Sequence, residues 1–165
     1  MTLPDGVTLR TAVVADADAG ARLHRECWRE AYGPITDRVA LAEHLADEAG
    51  WAARWTTQIE TGLAPLLAVD EQGTPIGFAR SGAGRDEDVP GLLELYALYV
   101  RAAWHGTGIG GALFDGVVGA AAAYLWVLED NARARAFYRR QGFAPDGARE
   151  RYEPLATWEI RMVRG

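Results

Sequence analysis

His105-Gly106-Thr107-Gly108-Ile109-Gly110-Gly111 is the stretch on which the reading of this sequence turns. It follows an apolar run, Leu92 to Val100, that reads as a strand. It opens a second run, from about Gly108 to Ala123, that reads as a helix. Four glycines in so short a span leave main-chain N–H groups uncovered by side chains. A helix start adds unpaired donors and the positive end of a dipole. Together they predict an anion at this turn, most naturally a phosphate or pyrophosphate. A hydrogen bond to a charged group contributes roughly 1.5–3 kcal/mol, so three or four amides suffice without a lysine. None is available, because all 17 basic residues are arginine.

Upstream of the turn, Val7 to Ala12 reads as a first strand. Asp16 or Asp18 caps a helix that runs to Tyr32 and stops at Gly33-Pro34. Thr36 is the expected cap of a second helix, and a third passes through Trp51, Trp55 and Ile59 to Gly62. Pro65 to Val69 and Ile76 to Ser81 read as strands joined by a hairpin signal at Glu71-Gln72-Gly73-Thr74. Downstream, Tyr124 to Leu128 is a buried strand and Asn131 to Gln141 a helix closed by Gly142. Thr157 to Val163 is a last strand, with room for one more near Phe143. The order is that of a mixed α/β domain with a central hairpin and crossovers at the end.

Length and composition set bounds. The 165 residues suit a single domain, 1–165, with one core. A net charge of −6 argues against nucleic acid as a partner. No apolar run is long enough to cross a bilayer, and the first ten residues carry no signal pattern, so no membrane partner and a cytoplasmic location are expected. The lone Cys27 stands at helical spacing from Leu23 and reads as core packing; it can supply neither a disulfide nor a metal cluster, and no metal is expected.

Which phosphate ligand the turn takes is narrowed by what surrounds it. There is no Gly-Lys-Ser/Thr, which excludes a P-loop. Gly106-x-Gly108-x-x-Gly111 matches a dinucleotide fingerprint, and Glu129 and Asp130 follow a strand at about the right distance for a ribose contact. Against this, Arg101 to His105 separate the strand from the first glycine. Only 35 residues follow Asp130, too few for the rest of a doubly wound sheet.

The sequence resembles the GNAT acetyltransferases. Their cofactor motif reads here as His105-x-x-Gly108-x-Gly110 after Leu98-Tyr99-Val100. A second motif reads as Leu125 to Asn131 followed by Ala134, Phe137-Tyr138 and Gly142-Phe143. The resemblance is clear from Leu92 to Phe143 and general before that. It implies the GNAT acyl-CoA N-acyltransferase fold, a splayed central sheet of six to seven strands flanked by helices. It implies acetyl-CoA as cosubstrate, with pantetheine on the backbone of Leu98, Tyr99 and Val100, and pyrophosphate at Gly106, Thr107, Gly108, Ile109, Gly110 and Gly111. Asn131 and Tyr138 would reach the thioester. His105 stands where the family has Arg or Gln, and Ala102 where a proline is common. Many relatives are dimers, so the resemblance admits a homodimer.

The chemistry asks for three groups. An amine of ordinary pKa, about 10.4, costs roughly 4–5 kcal/mol to deprotonate at pH 7, which calls for a general base. Glu94 is the expected base: it is an acid in an apolar strand, on the face of Tyr96, Leu98 and Val100 by two-residue alternation. The alternative is a salt-bridged glutamate. A backbone N–H near Val100 would stabilise the oxyanion. Tyr138 would protonate the leaving thiolate, the alternative being a packed core aromatic. By the same resemblance, Trp28, Tyr32 and Tyr96 would line the acceptor pocket, although Trp28–Tyr32 and Trp51–Trp55 stripes also suit a core. Asp86-Glu87-Asp88 is either an attractor of cationic amines or a solvated loop. The expected reaction is direct transfer from acetyl-CoA to a primary amine of a small molecule or a protein N-terminus. A non-catalytic acyl-CoA sensor and a small dinucleotide-binding oxidoreductase remain alternatives.

Overall fold

A computed structural model describes residues 3–165. Its centre is a seven-stranded sheet in the order β1-β2-β3-β4-β5-β7-β6. The strands are β1 (Thr8–Thr11), β2 (Leu66–Val69), β3 (Pro75–Ala83), β4 (Leu93–Val100), β5 (Ala123–Leu128), β6 (Ala144–Tyr152) and β7 (Thr157–Arg164). Helices α1 (Ala17–Tyr32), α2 (Arg38–Leu45) and α3 (Glu48–Glu60) come between β1 and β2; α4 (Ile109–Val117) links β4 to β5, and α5 (Ala132–Arg140) links β5 to β6. All neighbouring pairs are antiparallel except β4 and β5.

That one parallel pair shapes the molecule. It is registered only at Leu93↔Ala123 and Glu94↔Tyr124. Beyond Glu94 the two strands diverge. The edge of β4 that faces β5 therefore has no strand partner from Leu95 to Val100, although β3 pairs its other edge to Val100.

The two faces of the sheet carry different cores. Trp28, Trp51, Trp55, Leu67, Phe78 and Leu128 pack under α1–α3. Phe114, Leu125, Tyr138, Phe143 and Met162 pack under α4 and α5. The Trp51–Trp55 stripe is thus core, 4% and 1% exposed. Gly20 of α1 allows this close packing, because a Cβ there would lie 2.2 Å from the Trp55 ring.

Two expectations are corrected, and a third, the extra strand, is met by an element longer than its sequence suggested. The cap of α2 is Asp37, which accepts from the N–H groups of Val39 and Ala40 at 2.9 Å; Thr36 instead donates back to the Tyr32 carbonyl. Helix α4 stops at Val117 rather than running to Ala123. The alanines after it favour helix intrinsically, but the chain must enter β5, and Arg164 donates to the freed carbonyls of Gly119 and Ala121. The extra strand near Phe143 is a nine-residue edge strand, β6, largely exposed and interrupted by a register shift between Pro145 and Arg149. An exposed edge offers no apolar alternation, so its length was not readable.

Gly20→Ala should destabilise the fold by about 1–3 kcal/mol through overpacking against Trp55. Thermal denaturation should show a midpoint several degrees lower; an unchanged midpoint would mean that the helices part at no cost.

Candidate active site

The divergence of β4 from β5 opens a cleft of about 1240 Å³ through the sheet. One mouth is bounded by the glycine turn and α5. The other is bounded by α1, the β3–β4 loop and the β6–β7 face.

At the first mouth, Gly106 and Gly108 adopt φ of +80° and +93°, a region closed to most side chains. This turns the chain so that α4 starts toward the cleft. The first N–H with a partner inside the helix is that of Ala112, bonded to the Gly108 carbonyl, and no side chain caps the start. The N–H groups from Ile109 to Gly111 are left as donors, as an anion site requires. Gly106, Gly108, Gly110 and Gly111 line the cleft. Thr107 and Ile109 contribute backbone only: the Thr107 hydroxyl donates to the Trp104 carbonyl, and the Ile109 side chain is fully buried. His105 is turned back on β4, with Nε2 2.8 Å from the Val100 carbonyl. That carbonyl fixes a proton on Nε2, so Nδ1 donates to an anion only as the imidazolium. Ala102 explains its own departure from proline, since its N–H donates to Glu30 at 2.8 Å, a bond proline cannot make. Arg101 adds ion pairs to Glu26 and Glu30, which fastens α1 to the end of β4.

Leu98, Tyr99 and Val100 form the unpaired edge. Asn131 caps α5 through the Ala134 N–H and also lines the cleft. Tyr138 is 8% exposed and lines the cleft, and among the described residues its hydroxyl has no hydrogen-bond partner. Burial raises its pKa, so the phenol keeps its proton.

Glu94 lies in the cleft wall but is not free. Arg85 grips both carboxylate oxygens, and the Tyr124 hydroxyl donates to one of them at 2.8 Å. Burial alone would raise its pKa; the bonds from Arg85 and Tyr124 outweigh that and leave it below the ordinary value. A carboxylate so held is a poor proton acceptor, so the salt-bridged alternative describes Glu94. Nor does it share a face with Leu98 and Val100. The register with β3 slips between Arg80↔Ala97 and Ser81↔Leu95, leaving Tyr96 as an extra residue, a β-bulge. After it the alternation inverts. Leu93, Leu95 and Leu98 pack toward α4 and α5, while Ala97 and Tyr99 pack toward α1. The bulged Tyr96 rests on Gly82, where a Cβ would lie 2.7 Å from the ring, and Arg80 and Arg85 stack on it.

Trp28, Tyr32 and Tyr96 all line the second mouth. Tyr32 and Tyr99 share a 2.7 Å hydroxyl–hydroxyl bond across the cleft wall. Two of the three acids of the loop are paired, and Glu87 is exposed with no ion-pair partner among the described residues. Asp86 and Asp88, together with Asp146, surround the buried Arg161, and the Trp126 indole donates to Asp86. Cys27 is buried, which pushes its thiol up to about 12, so no thiolate is available.

Sequence reasoning missed Glu159, Glu150 and Tyr152, which complete this wall. Glu150 and Glu159 stand directly opposite each other on β6 and β7. Burial, then the neighbouring Glu150, raises the Glu159 pKa to about 7. Only the register of the edge strand could have revealed this pair.

A parallel pair that splays, with an amide-lined turn at the gap, is the architecture of the acyl-CoA N-acyltransferase fold. The chain belongs to the acetyltransferase (GNAT) family, whose model matches residues 18–143. It is similar to the Mycobacterium tuberculosis protein named Probable N-acetyltransferase Rv2775, at 28% identity over 97% of this chain and 92% of that one. It is also similar to the aminoglycoside N(6')-acetyltransferase type 1 of Stenotrophomonas maltophilia, at 34% identity over 67% of this chain and 64% of that one. Among solved structures, the PaiA N-acetyltransferase of Thermoplasma acidophilum in complex with coenzyme A superposes with a TM-score of 0.70 at 18% identity, covering 96% and 98% of the two chains. The protein is thus an acetyl-CoA-dependent acyltransferase, and the dinucleotide alternative falls. Among the described residues no helix is long and apolar enough to cross a membrane.

Glu94→Gln should weaken the Arg85 clamp and lower stability by about 1–3 kcal/mol at pH 7. The folded carboxyl titrates below its unfolded value, so its contribution is present above the unfolded pKa and lost as pH falls through the folded one. The midpoint gap between wild type and Glu94→Gln should therefore close on acidification; a gap that widens below pH 4 would refute the pairing.

Proposed function

We propose that the protein transfers the acetyl group of acetyl-CoA directly to a primary amine, with both substrates in the cleft at once. The observation that carries this reading is the meeting of three unpartnered features in one cavity: the open edge of β4, the N–H groups at the start of α4, and the Tyr138 hydroxyl. The β4 backbone from Leu98 to Val100 would take the amide-bearing arm as an added strand, and the amides of Gly106 to Gly111 the pyrophosphate. Asn131 and Tyr138 stand at the thioester end. When bound, acetyl-CoA supplies the activated acetyl group; this chain orients it, excludes water and moves protons.

Tyr138 serves as the acid. Its environment keeps it protonated, and an unused hydroxyl in a buried wall is suited to meet a developing thiolate. Direct transfer follows from the state of Cys27, a buried and protonated thiol on the first helix.

The acceptor enters at the second mouth, past Trp28, Tyr32 and Tyr96. The aromatic wall and the carboxylates of Glu150 and Glu159 favour an amine that arrives as an ammonium ion. The name of the Stenotrophomonas relative, which acts on an aminoglycoside, supports a cationic acceptor of this kind.

Acetyl-CoA or CoA at one hundred times its Kd should stabilise the fold by about 2.7 kcal/mol, while NADH and NADPH should not. Tyr138→Phe should keep that stabilisation and lose about 10²-fold or more in kcat. Undiminished turnover would remove Tyr138 from the chemistry, and an equal response to the nicotinamides would remove the cofactor reading.

A further inference from the structure

The ion pairs around the second mouth leave two of its carboxylates over. Glu94 is matched by Arg85, and Asp86 and Asp88 by Arg161. Glu150 and Glu159 face each other across the strands, and neither has an ion-pair partner among the described residues. The neighbouring arginines of β6, Arg149 and Arg151, stack on Trp158, which stands out of the cleft wall at 39% exposure. Two like charges directly opposite on adjacent strands are destabilising, yet both line the cavity.

Other groups face Glu159 from each element around it. They are Tyr32 of α1, Arg85 and Asp86 of the β3–β4 loop, Glu150 and Tyr152 of β6, and Arg161 on β7 itself. The Arg85 charge favours the ionised form of Glu159, but Arg85 is already committed to Glu94. A second, independent feature points to a ligand in the same space: the buried Tyr138 hydroxyl, which has no protein partner. Tyr32 lines the same cavity as both.

We propose that Glu159 receives the proton that the acceptor amine must lose, with Glu150 beside it holding the incoming ammonium. This rests on the transfer to an amine proposed above. The ammonium gives one proton to the Glu159 carboxylate. The freed nitrogen lone pair forms the C–N bond at the thioester carbon, and the C–S bond breaks with its electron pair on sulfur. Sulfur takes a proton from Tyr138, which regains one from the second N–H of the new amide nitrogen through solvent. Glu159 returns its proton to solvent when the products leave. A carboxyl that titrates near neutrality is suited to this duty, whereas Glu94 is not. Glu150 is a positioning residue, whose charge keeps Glu159 a better base than a lone carboxylate.

The test is thiol release from acetyl-CoA between pH 5.5 and 9, with spermidine, tobramycin and an alanine-starting peptide as acceptors. With wild type, kcat/KM should fall on the acid side of about pH 7. Glu159→Gln should lose that limb and about 10²-fold in kcat, while keeping the thermal shift with CoA, which shows that the variant is folded and its cofactor mouth intact. Glu150→Gln should move the limb about one pH unit down, a change that a merely structural residue would not make. A Glu159→Gln enzyme with wild-type kcat and limb overturns the proposal and leaves the acetyltransferase reading standing. No thiol release from any of the three acceptors by wild type, with the CoA shift intact, overturns the amine reading and this proposal with it.

Discussion

Everything about the cleft follows from how briefly β4 and β5 stay together. Two registered pairs are enough to hold the strands in one sheet, and their side chains, Glu94 and Tyr124, are locked to each other and to Arg85. Past that point the edge of β4 that faces β5 has polar groups and no strand partner. A buried main chain does not tolerate this without some compensating bond. The fold thus carries a demand for an extended, amide-bearing ligand in its sheet, independent of any side chain. Seen this way, Glu94 is the pin of the hinge from which the strands open.

Electrostatics divide the labour around that opening. Arginine is the only strong cation available, and its planar, multi-donor head suits it to gather several carboxylates at once. Arg161 does so with Asp86, Asp88 and Asp146, tying the β3–β4 loop to the far strands. Arg101 does so with Glu26 and Glu30, tying α1 to the end of β4. These clamps fix the two walls of the second mouth and neutralise most of its acid. The pair at Glu150 and Glu159 is what the clamps leave unanswered.

The sequence made the cofactor half legible and the acceptor half obscure, for physical reasons. The glycines from 106 to 111 are local: each acts through its own φ or its own N–H, so spacing alone reports them. The Phe137-Tyr138 and Gly142-Phe143 element is likewise read within one helix and its cap. Glu94 was found by type and misjudged in role, because its partner Arg85 lies across a hairpin and the bulge at Tyr96 inverts the face on which alternation would put it. His105, at the family's Arg or Gln position, bonds to a carbonyl five residues back. Glu159 could not be found at all, since its significance lies in a pairing with an edge strand whose polar, irregular sequence concealed its length. What is written in consecutive residues was readable; what depends on register between strands was not.

The amides at the start of α4 and along β4 have a last consequence. A main-chain donor has no codon of its own. Neighbouring residues can drift through many substitutions while the N–H groups stay where the turn puts them, provided that glycine is kept at the positions with positive φ. The wall of the second mouth, lined by Trp28, Tyr32, Tyr152 and Glu159, has no such protection, and each substitution there changes what the cavity admits. A chain organised this way can inherit its donor substrate and explore new acceptors.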